Sequence, residues 1–519
     1  MDTYNTYLDT RGYTEGGYSF TDVVIEGLAP GGGLFVPRTI PTISTEQVCA
    51  LADLPYAARA AFIYRVFGVD LPDELVGELM QGAYGDNFDD ERICPITEVA
   101  PGMHVLELWH GPTSAFKDMA LQCLPRFFSA SIDRKRESGG EPYDYLILTA
   151  TSGDTGKAAL EGFRDRTHTG IIVFYPHGGV SDIQYLQMAT QRGDNVQVYG
   201  VQGNFDDCQT NVKAAFNDVP FNEMLAEKHG IKLSSANSIN WGRLLPQIVY
   251  YVSSYAEMAK SGAVAPGDPI DVCVPTGNFG NILAAYYARR MGTPISRLLC
   301  ASNENRVLTD FIRTGVYDIS DREFVLTPSP SMDILVSSNL ERQVFELCDR
   351  NGDAVRGWMD DLRSRKRFEV DERTAARMKE LYAADSVSNA ECFATIKQVF
   401  DEHGYLLDPH SAVAWTVAER LREDKPILIA STAHWAKFGP SVYRALKGIP
   451  VGCDLPADVA SLSGMQLNER IASETGAGPI PAGLAELASL TPRFTGVIAG
   501  SPVSVEEATV SFLEKRKQH

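Results

Sequence analysis

Short apolar segments that alternate with helical segments constrain the fold of this chain more than any other feature. They begin near residue 95 and are rich in β-branched residues, as strands covered on both faces tend to be. Strands separated by helices form βαβ units, so the pattern predicts an α/β fold with open, mostly parallel sheets and helices on both faces. The clearest predicted strands span 145–150, 171–175, 196–200, 270–275, 297–301 and 427–431.

The length of the chain predicts more than one domain. A single hydrophobic core rarely serves 519 residues, so two or three domains are expected. We expect an N-terminal module over residues 1–95, an α/β domain over 96–240, and a second α/β domain over 241–519 with a helical insertion near 340–400. Helices are predicted within the module near 45–66 and 71–83.

The formal net charge of −20 argues against nucleic-acid binding, which requires a basic surface. The nine cysteines are odd in number and form no CxxC pair, a pattern typical of a reducing compartment rather than of disulfides or a zinc site. The N-terminal segment does not resemble a secretory signal, and no apolar run reaches the roughly 18–20 residues of a membrane span. We therefore expect a cytoplasmic protein without a metal, a nucleic acid or a membrane as partner.

The segment PTGNFGN, residues 275–281, directly follows a predicted strand and precedes a predicted helix. Ligands of parallel sheets bind outside the carboxyl ends of the strands. Gly277 and Gly280 allow the backbone to approach an anion closely, and the helix N-terminus directs free N–H groups toward it. The segment indicates a phosphate-binding loop, although a tight turn without a ligand fits a glycine pair equally well.

The segment TATSGDTGKAA, residues 149–159, occupies the same position after another predicted strand. Gly156 and Lys157 resemble part of a nucleotide-binding P-loop, but Thr151 and Ala158 stand where that motif requires glycine and Ser or Thr. A second anion-binding loop and an ordinary capped helix start are about equally favoured.

Lys117, within HGPTSAFKDMALQ at residues 110–122, is the candidate amine nucleophile. It lies among apolar residues in the first turns of a predicted helix. A partly desolvated amine beside a helix N-terminus has a lowered pKa and forms Schiff bases readily. A lysine next to apolar residues is more often a surface residue, so this interpretation depends on the other motifs.

Two further segments carry polar groups next to apolar elements. SANSINWGR, residues 235–243, places Asn240 and Arg243 ahead of an apolar helix, where Arg243 suits bidentate contact with phosphate or carboxylate. Helix capping by Asn240, with the arginine on the surface, is nearly as favoured. ASTAHWAKF, residues 430–438, follows a predicted strand and presents Thr432, or it is an ordinary strand-exit loop.

Taken together, these motifs resemble threonine synthase of the longer bacterial and fungal class. The matching segments are YLDTRG, FTDVVIEGLAPGGGLFVP, HGPTSAFKD, SGDTG, NSIN, PTGNFGN, DPHSAV and TAHWAKF, which together extend over essentially the whole chain. This class belongs to the fold-type II pyridoxal phosphate enzymes, so the resemblance implies a tryptophan synthase β-like fold. Asp9 and Trp435 depart from the serine and proline that are usual in the family, and we expect these departures to affect local packing alone.

The resemblance implies roles for the matched residues, with pyridoxal 5'-phosphate as the cofactor. Lys117 would hold the cofactor as a Schiff base, and Thr432 would offer a hydroxyl to its pyridine nitrogen. The residues implied to hold the cofactor phosphate are Gly277, Asn278, Phe279, Gly280 and Asn281. The residues expected on the substrate side are Ser114, Ser152, Gly153, Asp154, Thr155, Asn240 and Arg243, with the last two as candidates for the substrate phosphate.

The implied reaction converts O-phospho-L-homoserine and water to L-threonine and phosphate, the last step of threonine biosynthesis. In this β,γ-elimination and replacement, Lys117 takes the α-proton and the pyridine ring accepts electron density. A β-proton and then the γ-phosphate leave, and water adds at the β-carbon. The protein would work as a monomer or a small homo-oligomer.

Other functions remain open at the level of sequence. Another fold-type II lyase, such as a threonine or serine dehydratase or a phospholyase, is one; the N-terminal module and the TAHWAKF and NSIN segments favour the synthase over it. A nucleotide-binding phosphotransferase is disfavoured because the P-loop pattern at Gly156 and Lys157 fails. A catalytically inactive relative is disfavoured because Lys117 and the glycine loop are intact.

Overall fold

A computed structural model describes residues 4–140 and 142–517. Its strands are β1 (Tyr7–Asp9), β2 (Phe35–Pro37), β3 (Ile96–Ala100), β4 (Met103–Glu107), β5 (Asp144–Ala150), β6 (Thr169–Pro176), β7 (Val196–Val201), β8 (Ile231–Ser234), β9 (Ile270–Pro275), β10 (Ile295–Ser302), β11 (Val316–Asp318), β12 (Arg367–Glu369), β13 (Tyr382–Ser386), β14 (Ile427–Ser431) and β15 (Val497–Ile498).

The α-helices surround these strands. They are α1 (Phe20–Glu26), α2 (Thr45–Ala50), α3 (Tyr56–Val66), α4 (Asp73–Ala83), α5 (Lys117–Leu121), α6 (Leu124–Glu137), α7 (Asp154–Phe163), α8 (Asp182–Ala189), α9 (Phe205–Asn217), α10 (Val219–Met224), α11 (Trp241–Ser261), α12 (Gly280–Met291), α13 (Val307–Thr314), α14 (Leu340–Leu347), α15 (Gly352–Arg365), α16 (Glu372–Leu381), α17 (Asn389–His403), α18 (Pro409–Leu421), α19 (Gly439–Lys447), α20 (Ala457–Ala460), α21 (Gly464–Thr475), α22 (Ala482–Ala485) and α23 (Pro502–Lys517). Within the described ranges, none of these helices is long and apolar enough to cross a membrane.

Two mostly parallel sheets organise the molecule, as predicted. One has five strands in the order β15-β7-β6-β5-β8, all parallel. The other has six in the order β13-β10-β9-β14-β4-β3, parallel except for the antiparallel pair β3 and β4. All six strands predicted from the apolar segments are confirmed, with bounds that differ by two residues or fewer.

Both faces of each sheet are buried, which explains why the strands are continuously apolar. In β5, Ile147 packs on the face covered by α6 and α7, whereas Leu146 and Leu148 pack on the opposite face with residues of α9 and α23. In β14, Leu428 and Ile429 likewise belong to two different clusters. Alternate side chains of a strand point to opposite faces, so both sets must be apolar.

The sheets do not follow the predicted domain boundaries. Strands β3 and β4 lie within the predicted 96–240 domain, yet they complete the six-stranded sheet of the later residues. Strand β15, within the predicted 241–519 domain, joins the five-stranded sheet. The chain thus exchanges segments between the two sheets, because strand pairing depends on edges that local sequence does not reveal. The predicted insertion near 340–400 is helical, but it also supplies the edge strand β13.

The N-terminal module packs against α6 and α11 and bonds to α14. Its Thr10 and Arg11, from the YLDTRG segment, both bond Glu341 of α14, at 2.6 Å from Thr10 Oγ1 and at 2.8 and 2.9 Å from the Arg11 guanidinium. The predicted helix near 45–66 is wrong as a single element: α2 and α3 are separated by a 3₁₀ turn at Leu51–Asp53 and by Pro55, whose ring interrupts an α-helix. The helix predicted near 71–83 is confirmed as α4.

Candidate active site

The segment that carries Lys117 is attached to the segment that follows β14. Ala115 and Ala433 form an antiparallel bridge, and the N–H of Phe116 donates to the carbonyl of Thr432 at 2.8 Å. Strand β14 lies between β9 and β4 in the six-stranded sheet. The carboxyl end of this sheet therefore brings together Lys117, Thr432 and the glycine loop after β9.

Lys117 is buried at the start of the short helix α5, with 8% of its surface exposed. Its Nζ donates to Ser331 Oγ at 3.1 Å and lies 3.6 Å from Asp154 Oδ2. Burial is the largest influence and lowers the pKa of Lys117; Asp154 opposes the shift, whereas Lys437 and Arg243 add to it. The amine is thus inside the protein, poised to become neutral and nucleophilic.

Asp154 joins two buried lysines. Its Oδ1 lies 2.9 Å from Lys437 Nζ and accepts from Gln184 Nε2 at 3.1 Å, while Oδ2 faces Lys117. Burial would raise the pKa of Asp154, but the ammonium groups of Lys437 and Lys117 outweigh burial and hold that pKa below its ordinary value. With Arg243 also buried nearby, cations outnumber the paired carboxylate, which is the balance expected of an anion site.

Ser331 connects Lys117 to the glycine loop. Its Oγ accepts from Lys117 and donates to Asp154 Oδ2 at 3.3 Å. Its carbonyl lies so close to Gly277 that a β-carbon there would meet the oxygen at 2.7 Å. Ser331 therefore contacts both the Lys117 amine and the backbone of the glycine loop.

The glycine loop ends in an uncapped helix N-terminus. Phe279 has a positive φ of 62° and precedes α12 without a side-chain cap. Asn281 is buried; its Oδ1 accepts from the hydroxyls of Tyr250 and Tyr251, and its Nδ2 has no partner among the described residues. Free N–H groups and an unpaired amide donor at one helix start suit an anionic ligand. Asn278 is exposed, and its carbonyl accepts from Asn339 at 3.1 Å.

The loop after β5 is organised by a threonine rather than by the predicted caps. Thr151 Oγ1 accepts from the N–H groups of Gly153 and Gly156 at 3.0 and 2.9 Å. Gly153 has a φ of 134°, and a β-carbon there would lie 2.4 Å from Gln184. Ser152 and Thr155 are half-buried. This arrangement leaves Asp154 free to face the lysines instead of capping α7.

The remaining predicted ligands, Asn240, Arg243 and Ser114, differ in whether their side chains already have hydrogen-bond partners. Asn240 caps α11 by accepting from Gly242 N–H at 2.8 Å, and its Nδ2 donates to the Val24 carbonyl at 2.8 Å. Arg243 is buried, not on the surface; burial lowers its pKa to about 10, and its Nε has no partner among the described residues. Ser114 is buried with a φ of 57°, and its Oγ is likewise without a partner in the described part of the chain.

Sequence reasoning missed Ser331 and did not assign a role to Lys437 or His410. Ser331 lies in a single 3₁₀ turn, Pro330–Met332, which has no recognisable motif and stands between β11 and α14. Lys437 is 1% exposed, and His410 accepts the Ser331 N–H on Nε2 at 3.2 Å. The sequence did contain a signal for Lys437 and His410, because Lys437 belongs to the TAHWAKF segment and His410 to the DPHSAV segment.

The stability of the protein should depend on pH through His110, which lies at the start of the Lys117 segment. Burial disfavours its charged form, but hydrogen bonds to Asp89 and Glu107 outweigh burial and raise the pKa of His110 to about 9. Because the folded pKa exceeds the ordinary 6.5, the stabilisation is complete below pH 6.5 and is lost as pH rises through 9.

We therefore expect His110→Gln to lower the free energy of unfolding by about 1 kcal/mol more at pH 6 than at pH 9.5; the carboxylate of Asp89 is partly exposed, which limits the effect. Denaturant unfolding of both proteins at the two pH values measures the difference. A destabilisation that is equal at both values would contradict the assignment.

Two family models match parts of this chain. One family model, described as the threonine synthase N terminus, matches residues 6–84, and another, described as threonine synthase, C-terminal, matches residues 411–507. Threonine synthase from Pseudomonas aeruginosa is 38% identical over 461 residues, which cover 88% of this chain and 93% of that protein.

Two further comparisons define the extent of the likeness. Threonine synthase-like 1 from Homo sapiens is 43% identical over 437 residues, which cover 82% of this chain but 58% of the length of that protein. The crystal structure of threonine synthase from Brucella melitensis, solved with PLP bound, superposes with a TM-score of 0.85 at 35% identity and covers 98% of this chain and 99% of its own.

Proposed function

The chain belongs to the threonine synthase family, and on that premise we propose that it converts O-phospho-L-homoserine and water to L-threonine and phosphate. The predicted fold class, that of the fold-type II pyridoxal phosphate enzymes, is confirmed by the likeness to the Brucella enzyme. One observation supports the function most strongly: a buried lysine amine is joined through Ser331 to a glycine loop at an uncapped helix start.

The residues fit pyridoxal phosphate. A phosphate needs N–H donors, and the start of α12 and the unpaired Nδ2 of Asn281 supply them. The cofactor aldehyde needs an amine, and Lys117 supplies it. Gly277 permits close packing of the loop against the 330–332 turn, where a β-carbon would lie 2.7 Å from the Ser331 carbonyl oxygen. Thr432 is buried at the end of β14 and would face the pyridine nitrogen with an uncharged hydroxyl.

When bound, the cofactor supplies an electron sink that stabilises negative charge at the substrate α-carbon. Lys117 Nζ would hold the cofactor and, once released, carry the α-proton. Its lowered pKa suits this role because a neutral amine is required to accept a proton. Burial of Lys117, Asp154 and Lys437 excludes water from these groups and strengthens their electrostatic interactions.

The substrate brings a carboxylate and a phosphate. Arg243 is the better of the two predicted phosphate ligands, because its buried Nε is unpaired whereas both ends of the Asn240 side chain are engaged. Ser114, Ser152, Gly153, Asp154 and Thr155 remain the proposed substrate-side residues. We place the enzyme in the cytoplasm, because its nine free thiols are typical of a reducing compartment. A monomer or small homo-oligomer remains part of the proposal.

The test is product analysis with the purified, cofactor-loaded protein. Phosphate and threonine released in equal amounts from O-phospho-L-homoserine are the expected result. Ketoacid formation from threonine or serine without phosphate release would instead identify a dehydratase. A protein that does not bind pyridoxal phosphate would exclude both functions.

Gly277→Ala is expected to weaken cofactor binding. The new β-carbon would lie 2.7 Å from the Ser331 carbonyl and 3.2 Å from Met332 Cα, so backbone must shift on one side of the pocket. We expect roughly 10- to 100-fold weaker pyridoxal phosphate binding, about 1.4–3 kcal/mol, from overpacking of this size. Titration of cofactor-free protein measures it. Gly262→Ala, at an open C-cap, is the control for alanine at a glycine site and should leave affinity unchanged.

A further inference from the structure

Ser331, the residue that links Lys117 to the glycine loop, is itself held by a buried histidine. The Ser331 N–H donates to His410 Nε2 at 3.2 Å. On the other side of the ring, His410 Nδ1 lies 2.6 Å from Asp408 Oδ2. His410 and Asp408 are 1% and 2% exposed, so this chain of hydrogen bonds runs through the protein interior.

The hydrogen bonds fix the orientation and the proton of the imidazole ring. Nε2 accepts from a backbone N–H, so the ring proton lies on Nδ1 and is donated to Asp408. Asp408 is held in turn, because it caps α18 and accepts from the N–H groups of His410 and Ser411 at 2.9 and 3.1 Å. The Nε2 lone pair is therefore directed at Ser331 from a rigid helix start.

The segment around Ser331 is anchored on a second side by Asp333. Its carboxylate accepts from Thr327 N–H at 2.9 Å, from Asn303 Nδ2 at 2.8 Å and from Asn305 Nδ2 at 3.1 Å. These two anchors hold the 3₁₀ turn Pro330–Met332 and restrict the position of the Ser331 hydroxyl. That hydroxyl is the group that meets both Lys117 Nζ and Asp154 Oδ2.

We propose that Asp408 and His410 form a positioning pair that acts on Lys117 through Ser331. Helix capping alone does not explain the pair, since Asp408 caps α18 through backbone N–H groups, whereas the imidazole reaches out of the helix to a different segment. The proposal rests on the proposed role of Lys117 as the cofactor-binding amine. His410 orients Ser331, and Ser331 orients the amine for attack on the cofactor aldehyde.

The experiment compares two substitutions of His410 that differ in where they place an acceptor. In His410→Gln the side-chain amide extends to the position of Nε2 and can accept from Ser331. In His410→Asn the amide ends near Nδ1 and leaves the Ser331 N–H without its partner. The measured quantity is the rate at which pyridoxal phosphate, added to cofactor-free full-length protein, produces the absorbance of the lysine-bound form.

We expect His410→Asn and Ser331→Ala each to slow attachment about tenfold, and His410→Gln to stay within about threefold of the unsubstituted protein. The double variant Ser331→Ala, His410→Asn should be no slower than Ser331→Ala, because both act by one route. The proposal would be overturned if His410→Asn and His410→Gln slowed attachment equally. It would also be overturned if the double variant slowed attachment by the product of the two single effects.

If His410→Asn does not fold, Ser331→Ala still tests the proposal. Ser331 is half-buried and the substitution removes only its hydroxyl oxygen, so we expect this variant to fold. An unchanged attachment rate in Ser331→Ala overturns the proposal. Cofactor attachment needs no phosphohomoserine. An unsubstituted protein that attaches the cofactor but releases no phosphate would therefore refute the proposed reaction and leave the positioning pair to be judged on the attachment rates.

Discussion

Lys117→Ala is expected to lose both the absorbance of the lysine-bound cofactor and roughly 10⁴-fold or more in turnover. The substitution removes the amine that reaches the interior end of the pocket at Ser331 and Asp154. Arg243 and Lys437 cannot replace it, because a guanidinium is not nucleophilic and Lys437 Nζ is held by Asp154 and the Thr113 carbonyl at 2.9 Å each.

Lys117→Arg distinguishes the role of the amine as a nucleophile from the role of its positive charge. Arginine keeps a cation beside Asp154 but provides no neutral amine, so this variant should be as inactive as the alanine variant and should likewise lack the absorbance of the lysine-bound cofactor. Spectra of the loaded proteins and phosphate release from O-phospho-L-homoserine measure both effects. Lys260→Ala, which removes a lysine from the far end of α11, is the surface control. A Lys117→Ala protein that is active and shows the absorbance of a lysine-bound cofactor would assign the catalytic amine to another residue.

The strands and the loops after them could be predicted because their signals are local. A continuously apolar run, such as 171–175, identifies a strand covered on both faces wherever it lies in the fold. Gly277 and Gly280 after such a run identify a loop at the carboxyl end of the sheet. The exchange of β3, β4 and β15 between the sheets could not be predicted, because parallel edges accept partners from distant parts of the chain.

The roles of individual polar residues were harder to predict, because caps and ligands have the same residue types. Asn240 precedes a helix and proves to be its cap, whereas Asp154 also precedes a helix but faces two lysines instead. Thr151, three residues before Asp154, makes the difference by accepting the N–H groups of Gly153 and Gly156. Ser331 carried no signal, since its function depends on contacts with residues 79 to 214 positions away.

Asp154→Asn is expected to destabilise the protein by about 3–5 kcal/mol, because it leaves Lys437 buried without its carboxylate. Because the asparagine amide has the same size as the carboxylate, packing is preserved. The lost stability therefore measures the effect of charge rather than of volume. The variant should also lower the pKa of Lys117 further, since Asp154 raises that pKa against the effect of burial. Cofactor attachment would then reach half its maximal rate at a lower pH than in the unsubstituted protein.

A second substitution distinguishes an uncompensated charge from a general defect. In the double variant Asp154→Asn, Lys437→Met, no ammonium remains at position 437, so a large part of the lost stability should return. Thermal and denaturant unfolding of the cofactor-free single and double variants measure the recovery. If the double variant is less stable than Asp154→Asn, the two side chains do not compensate each other. The carboxylate would then stabilise the fold through Gln184 and Ser331, whose bonds to Asp154 are neutral.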